Sequence, residues 1–254
     1  MDRISLASYS FNGLHRRGMI DAFGYLETLK YRYNLHYADI WNGLFVEYGD
    51  EYLKKIREML DEKGLEVASL CCDWAHPWDD DLAVRAKNDE TAQNCLKAAE
   101  ILGSKTVRFD VGVRSEDITE EQYDLIVKKF TEYAQRGYDH GYMVGPENHW
   151  GASRKISVQK ELYKRVKNPG YGILLHLGNW ILEEGCTIES NNLAAAPMAV
   201  HSHVSYDYAR EAVELLPQLR EAGYKGVWGL EHHSGVDEYT KVEVHLGLLR
   251  LAHC

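Results

Sequence analysis

Four residues in the second half of the chain stand at nearly equal intervals: Glu147, His176, His203 and Glu231, separated by 29, 27 and 28 residues. Taken singly, each reads as a surface or hydrogen-bonded residue; the common interval is what joins them. Two carboxylates brought to one point without a cation repel, and one of them has to bind a proton. A divalent ion removes the conflict. Two carboxylates with two imidazoles suit Mn, Fe, Co or Zn rather than Ca or Mg, which prefer all-oxygen sets. One divalent ion is therefore expected, manganese first, with Co, Fe or Zn as alternatives.

Such residues need strands to carry them. Short β-rich runs occur at 3–10 (RISLASYS), 37–41 (YADIW), 65–71 (LEVASLC), 105–110 (KTVRFD), 142–148 (YMVGPEN), 172–177 (GILLHL), 198–204 (MAVHSHV) and 226–231 (GVWGLE). Between them lie charged segments with helical periodicity, such as DEYLKKIREMLDEKG and TEEQYDLIVKKFTEYAQRG. In the second, Thr119 and Gln122 form a capping-box pair and Gly137 is expected near the helix end. DEYTKVEVHLGLLRLAH reads as a closing helix.

Eight strands alternating with about eight helices predict an α/β fold, a single (β/α)8 barrel over residues 1–254. The first strand is followed by SYSFNGLHRRG, which is not the Gly-rich phosphate turn of an open doubly wound sheet. A ~250-residue barrel gives ~31 residues per repeat. The four spaced residues then fall at the carboxyl ends of strands five to eight, where barrels carry their chemistry. Strand alternation puts Glu147 with His149, and His201 with His203, on common sides.

Composition excludes several classes. At 254 residues, 45% hydrophobic and 27% charged, the chain can bury a large core. A net charge of −10 argues against nucleic-acid and anionic-membrane partners, which need a basic face. No run approaches a bilayer-spanning length, and the amino terminus has no signal-like apolar stretch. Five cysteines without a C-x-x-C pair suggest neither disulfides nor a Cys-zinc site, so a reducing cytoplasm is the expected setting.

The motifs P-E-N-H (146–149), L-x-L-G-N (175–179), H-x-H (201–203), L-E (230–231) and the opening S-Y-S-F together resemble the xylose-isomerase-like barrel superfamily of sugar isomerases and epimerases. In the sugar epimerases of that family, Glu, Asp, His and Glu on strands five to eight hold the metal, and the two glutamates double as the acid/base pair. The resemblance implies these roles for Glu147, His203 and Glu231. His176 stands where the family usually has Asp, and H-V-S-Y (203–206) lacks the lysine and aspartate of the common H-x-K-D version. The family also tends to dimers and tetramers, so a homo-oligomer is expected on resemblance alone.

The chemistry expected is isomerisation or epimerisation of a keto-sugar or related polyol through an enediolate. Glu147 or Glu231 would take the proton α to the carbonyl and the other would return it, with His149 or His233 as further proton carriers. The same enolate chemistry allows a lyase or decarboxylase acting on 3-oxo-sugars, 3-oxo-glycosides or oxo-sugar acids. An abasic-site endonuclease ranks low at this charge. A non-catalytic binding or partner subunit is the remaining alternative.

Aromatics and one arginine complete the expected site. Trp41, Trp74, Trp78, Trp150 and Trp180 follow predicted strands and are expected to ring the barrel mouth, either as sugar-packing walls or as caps on the core. Trp41, Trp150, Trp180, His76 and His233 are the candidate carbohydrate contacts. The insertion CCDWAHPWDDD, which carries His76, is either a lid or a solvated loop. Arg108 is the candidate for a substrate anion; its alternative is an internal ion pair with Asp110. No cationic cluster after strands seven and eight suggests a phosphate site.

Overall fold

The computed structural model describes residues 3–252. Eight parallel strands run β1 (Ile4–Ala7), β2 (Tyr37–Trp41), β3 (Glu66–Cys72), β4 (Thr106–Phe109), β5 (Met143–Gly145), β6 (Ile173–His176), β7 (Ala199–Val204) and β8 (Trp228–Leu230). They form one sheet in the order β5-β4-β3-β2-β1-β8-β7-β6. The seam between β5 and β6 is bridged at Val144–Tyr171 and Glu147–Leu174, which makes the sheet a nearly closed (β/α)8 barrel. Glycine is needed at that seam: a Cβ on Gly145 would lie 1.6 Å from the Gly172 carbonyl oxygen.

Parallel strands covered on both faces have to be apolar throughout. Accordingly, β1, β3, β4 and β6 are buried along nearly their whole length. The helices bury one stripe each. In the helix Asp50–Lys63, Leu53, Ile56 and Leu60 face inward, and Gly64, at φ +61°, ends it in the left-handed conformation. The helix Glu120–His140 opens on the expected Thr119/Gln122 capping box. It runs through Gly137, where a Cβ would lie 2.7 Å from the Tyr142 carbonyl oxygen, and is ended by the left-handed Gly141 at φ +82°.

The closing helix spans Glu238–Leu251; the expected extension to His253, like Cys254, lies outside the described residues. Strand one is shorter than expected, because residues Ser8–Phe11 turn away in a short 3-10 helix. That turn brings the Ser8 hydroxyl to the Trp41 backbone N–H at 2.8 Å. No helix among the described residues is long and apolar enough to cross a membrane.

Candidate metal centre

The barrel brings the four spaced residues together. One donor atom from each of Glu147, His176, His203 and Glu231 lies within 4.8 Å of the others. His176 ends β6 and pairs with His203, the penultimate residue of β7, while Glu147 lies two residues past β5 and Glu231 directly follows β8. Glu147 Oε1 is 3.0 Å from His176 Nδ1 and 3.2 Å from His203 Nδ1. Glu231 Oε2 is 3.3 Å from His203 Nδ1 and 3.7 Å from His176 Nδ1.

The backbone around this cluster is held by asparagine amides. Asn148 accepts the His176 N–H at 2.7 Å and donates to the His176 carbonyl at 2.8 Å. Asn179 donates to the carbonyls of Asn148 and His149, both at 2.8 Å. The N of P-E-N-H and the N of L-G-N therefore lock the ends of β5 and β6 together.

Behind the cluster stands a residue that the sequence does not single out. Asp39, on β2 and 1% exposed, accepts from His201 Nε2 at 2.6 Å and from His203 Nε2 at 3.2 Å. The only signal for it is a carboxylate inside the apolar run YADIW, where an unpaired charge would be costly. Gly229 makes room for the pair: a Cβ there would lie 2.9 Å from both Asp39 Oδ2 and His201 Nε2.

This arrangement fits a divalent cation. A neutral His203 donating its Nε2 proton to Asp39 aims the Nδ1 lone pair at two carboxylate oxygens. Three lone pairs on one point require a cation between them. With protons as the only cations, burial pushes His203 down, but Glu231, Glu147 and Asp39 lift it well above the ordinary imidazole range. Burial alone would likewise raise the Glu147 carboxyl, yet His149 and His203 and hydrogen bonds from His176 and His203 hold it well below the usual carboxylate range. Glu231 is held low against the same burial by His203 and His233.

A second carboxylate–histidine group, Asp110, Glu147 and His149, already contains a cation. Arg108, buried at the end of β4, places Nη1 3.2 Å from Asp110 Oδ2 and 3.0 Å from Asp73 Oδ1, with Nε 3.1 Å from Glu147 Oε2. The arginine is thus committed to internal ion pairs, the alternative weighed from sequence, although it also borders a small chamber above the cluster. His149 sits 3.2 Å from Asp110; burial lowers it, but Glu147 and Asp110 raise it to about 9.

The aromatic ring at the mouth is incomplete. Trp41 borders the chamber, with its indole N–H donated to Asp73 at 2.7 Å. Trp150 donates to Asp110 at 3.0 Å, and Trp74 is exposed. Trp180 is 4% exposed and donates inward to Asn192 at 2.8 Å, so it is a core residue and not a mouth wall. Trp78 is also buried, and its backbone N–H is bonded to Val111, which pins the insertion after β3 down instead of leaving it a free lid. His76 packs edge-on against Trp150, pairs with Asp79 at 3.5 Å and lines neither of the two spaces at the cluster. His233, by contrast, lies 3.2 Å from Glu231 and faces open space.

Solved structures of the same fold include a 3-keto-D-glucoside 4-epimerase from E. coli, with a TM-score of 0.77 at 15% identity over 99% of this chain and 100% of that one. A D-psicose 3-epimerase from Clostridium cellulolyticum H10 gives a TM-score of 0.77 at 13% identity over 99% of each chain. A xylose isomerase-like TIM barrel protein from Mycobacterium smegmatis, in complex with magnesium, gives 0.74 at 14% identity over the full length of both. At these identities the likeness is one of fold. No curated protein shows significant sequence similarity to the chain. The family described as xylose isomerase-like TIM barrel, however, matches residues 32–250. With that match over most of its length, on an eight-stranded parallel barrel, the chain belongs to the xylose isomerase-like TIM barrel family.

Proposed function

We propose that the protein is a divalent-metal-dependent sugar isomerase or epimerase acting on a keto-sugar or sugar derivative, with Glu147, His176, His203 and Glu231 as the metal ligands. The observation that carries this is the convergence of four donor atoms, two of them carboxylate oxygens, at the carboxyl ends of β5 to β8. Manganese is the first choice for such a mixed set. A bound ion supplies Lewis acidity, drawing negative charge onto the substrate oxygen.

The remaining work belongs to the chain. Glu147 and Glu231 approach the centre from β5 and β8, the two sides of the pair β6–β7. One takes the proton α to the carbonyl and the other returns it from the opposite face. Arg108 Nε, 3.1 Å from Glu147 Oε2, sets a positive charge beside that carboxylate. His149 and His233 stand beside Glu147 and Glu231 respectively and carry protons onward.

The test is Glu147→Gln and Glu231→Gln, each assayed with a panel of keto-sugars in D2O. Loss of solvent-deuterium incorporation at the α carbon in both variants is expected. Near-wild-type exchange in both would sink the mechanism, whereas wild-type protein that releases a fragment of the substrate would make the enzyme a lyase or decarboxylase.

A further inference from the structure

Two spaces of very different size meet at the cluster. A chamber of about 90 Å³, bordered by Tyr9, Trp41, Arg108 and His149, lies on one side of Glu231 and His233. On the other side is a cavity of about 610 Å³, floored by His176 and Glu231 and walled by Tyr206, His232, Lys241 and Val244. Glu231 and His233 border both.

The volumes decide what each can take. At about 90 Å³ the chamber falls far short of a ligand-sized site and takes only a few polar atoms. The cavity falls within the range of roughly 300–1,000 Å³ typical of sites for drug-sized ligands. Its walls are largely apolar. Tyr206 presents a ring that Arg210 and His232 hold in place, and Val244 leaves 52% of its surface exposed. Lys241 forms no ion pair with another described residue, and no other lysine and no arginine borders the space.

Resting on the reading of the cluster as a metal-dependent sugar site, we propose that the cavity between the loops after β7 and β8 and the closing helix is an aglycone subsite. The substrate is then a sugar carrying a bulky, largely apolar substituent, a glycoside in place of a free monosaccharide. The oxidised sugar carbons sit over Glu231, and the substituent lies against Tyr206 and Val244, with Lys241 facing its polar groups. A sugar phosphate fits this space less well, because Asp207 borders it and Lys241 stands without an arginine beside it.

The test uses the manganese-loaded protein and two probes that differ only in the substituent, methyl 3-oxo-glucoside and 4-nitrophenyl 3-oxo-glucoside, with binding followed by calorimetry. Burial of the ring should make the aryl probe bind about tenfold tighter or better. Val244→Trp, a change at a half-exposed position that fills the cavity, should bring the two affinities together. Equal affinities in the wild type, or an aryl preference untouched by Val244→Trp, would overturn the subsite while leaving the metal site standing. If the metal-loaded protein binds neither probe, the sugar reading itself fails and the subsite with it.

Discussion

Asp39 on β2 and His203 on β7, 164 residues apart in sequence, are joined at 3.2 Å beneath the cluster of Glu147, His176, His203 and Glu231. The same carboxylate oxygen also holds His201. A carboxylate accepting Nε2–H fixes the imidazole as the tautomer whose Nδ1 is free to bind a cation, and it raises the basicity of that nitrogen. In the proposed metal site Asp39 is therefore the positioning residue.

Asp39→Asn should weaken manganese binding about 10- to 100-fold, as changes in such outer carboxylates do. A fluorescence or calorimetric titration with Mn²⁺ reads this directly, and the melting temperature of the metal-free variant separates it from a loss of fold. Unchanged affinity would show that His203 needs no partner.

His176→Asp restores the residue usual in the sugar epimerases that the chain resembles. It adds one negative charge to the ligand set and shortens the side chain, so the metal should be retained with a changed turnover rate or product ratio. Metal content and product analysis check this; both unchanged would leave His176 a bystander.

Metal removal should lower thermal stability. Anything that binds the folded state alone adds RT ln(1 + [L]/Kd), about 2.7 kcal/mol at a free ion concentration one hundred times Kd. A melting curve taken after dialysis against EDTA, then with Mn²⁺ restored, should show a reversible shift. No shift with Mn²⁺, Co²⁺ or Zn²⁺ would count against the whole cluster.

His245, in the closing helix, is fully buried against Tyr206 and His232, and neither ring nitrogen has a partner among the described residues. Burial, reinforced by His232, pushes it down to about 3. The folded state thus keeps it neutral while the unfolded chain protonates it below about pH 6.5. Its contribution is complete above that pH and is lost as the pH falls toward 3. His245→Leu should remove this slope, so that relative to wild type the variant gains about 2 kcal/mol between pH 7 and pH 5. Denaturant melts at the two pH values measure it; parallel losses in both proteins would refute it.

The barrel and the convergence of Glu147, His176, His203 and Glu231 were legible in the sequence because both are periodic. Eight apolar runs at a regular interval leave few architectures, and one polar residue per repeat at strand ends stays in phase whatever the loops do. The capping box and the closing helix were readable for the same reason, as local patterns. What the tertiary structure decided are the contacts between distant segments and the direction of each side chain. Asp39 looked like an ordinary polar residue in YADIW until the barrel set β2 across from β7. Trp41 ends β2 and Trp180 follows β6, yet one borders the chamber and the other turns into the core, because Asn192 offers the second a buried acceptor. Arg108 could meet a substrate or an internal carboxylate; three acids converging from β3, β4 and β5 made the choice. Periodicity places a residue on its element, but only the packed fold supplies the partners that determine which way a side chain faces and what charge it carries.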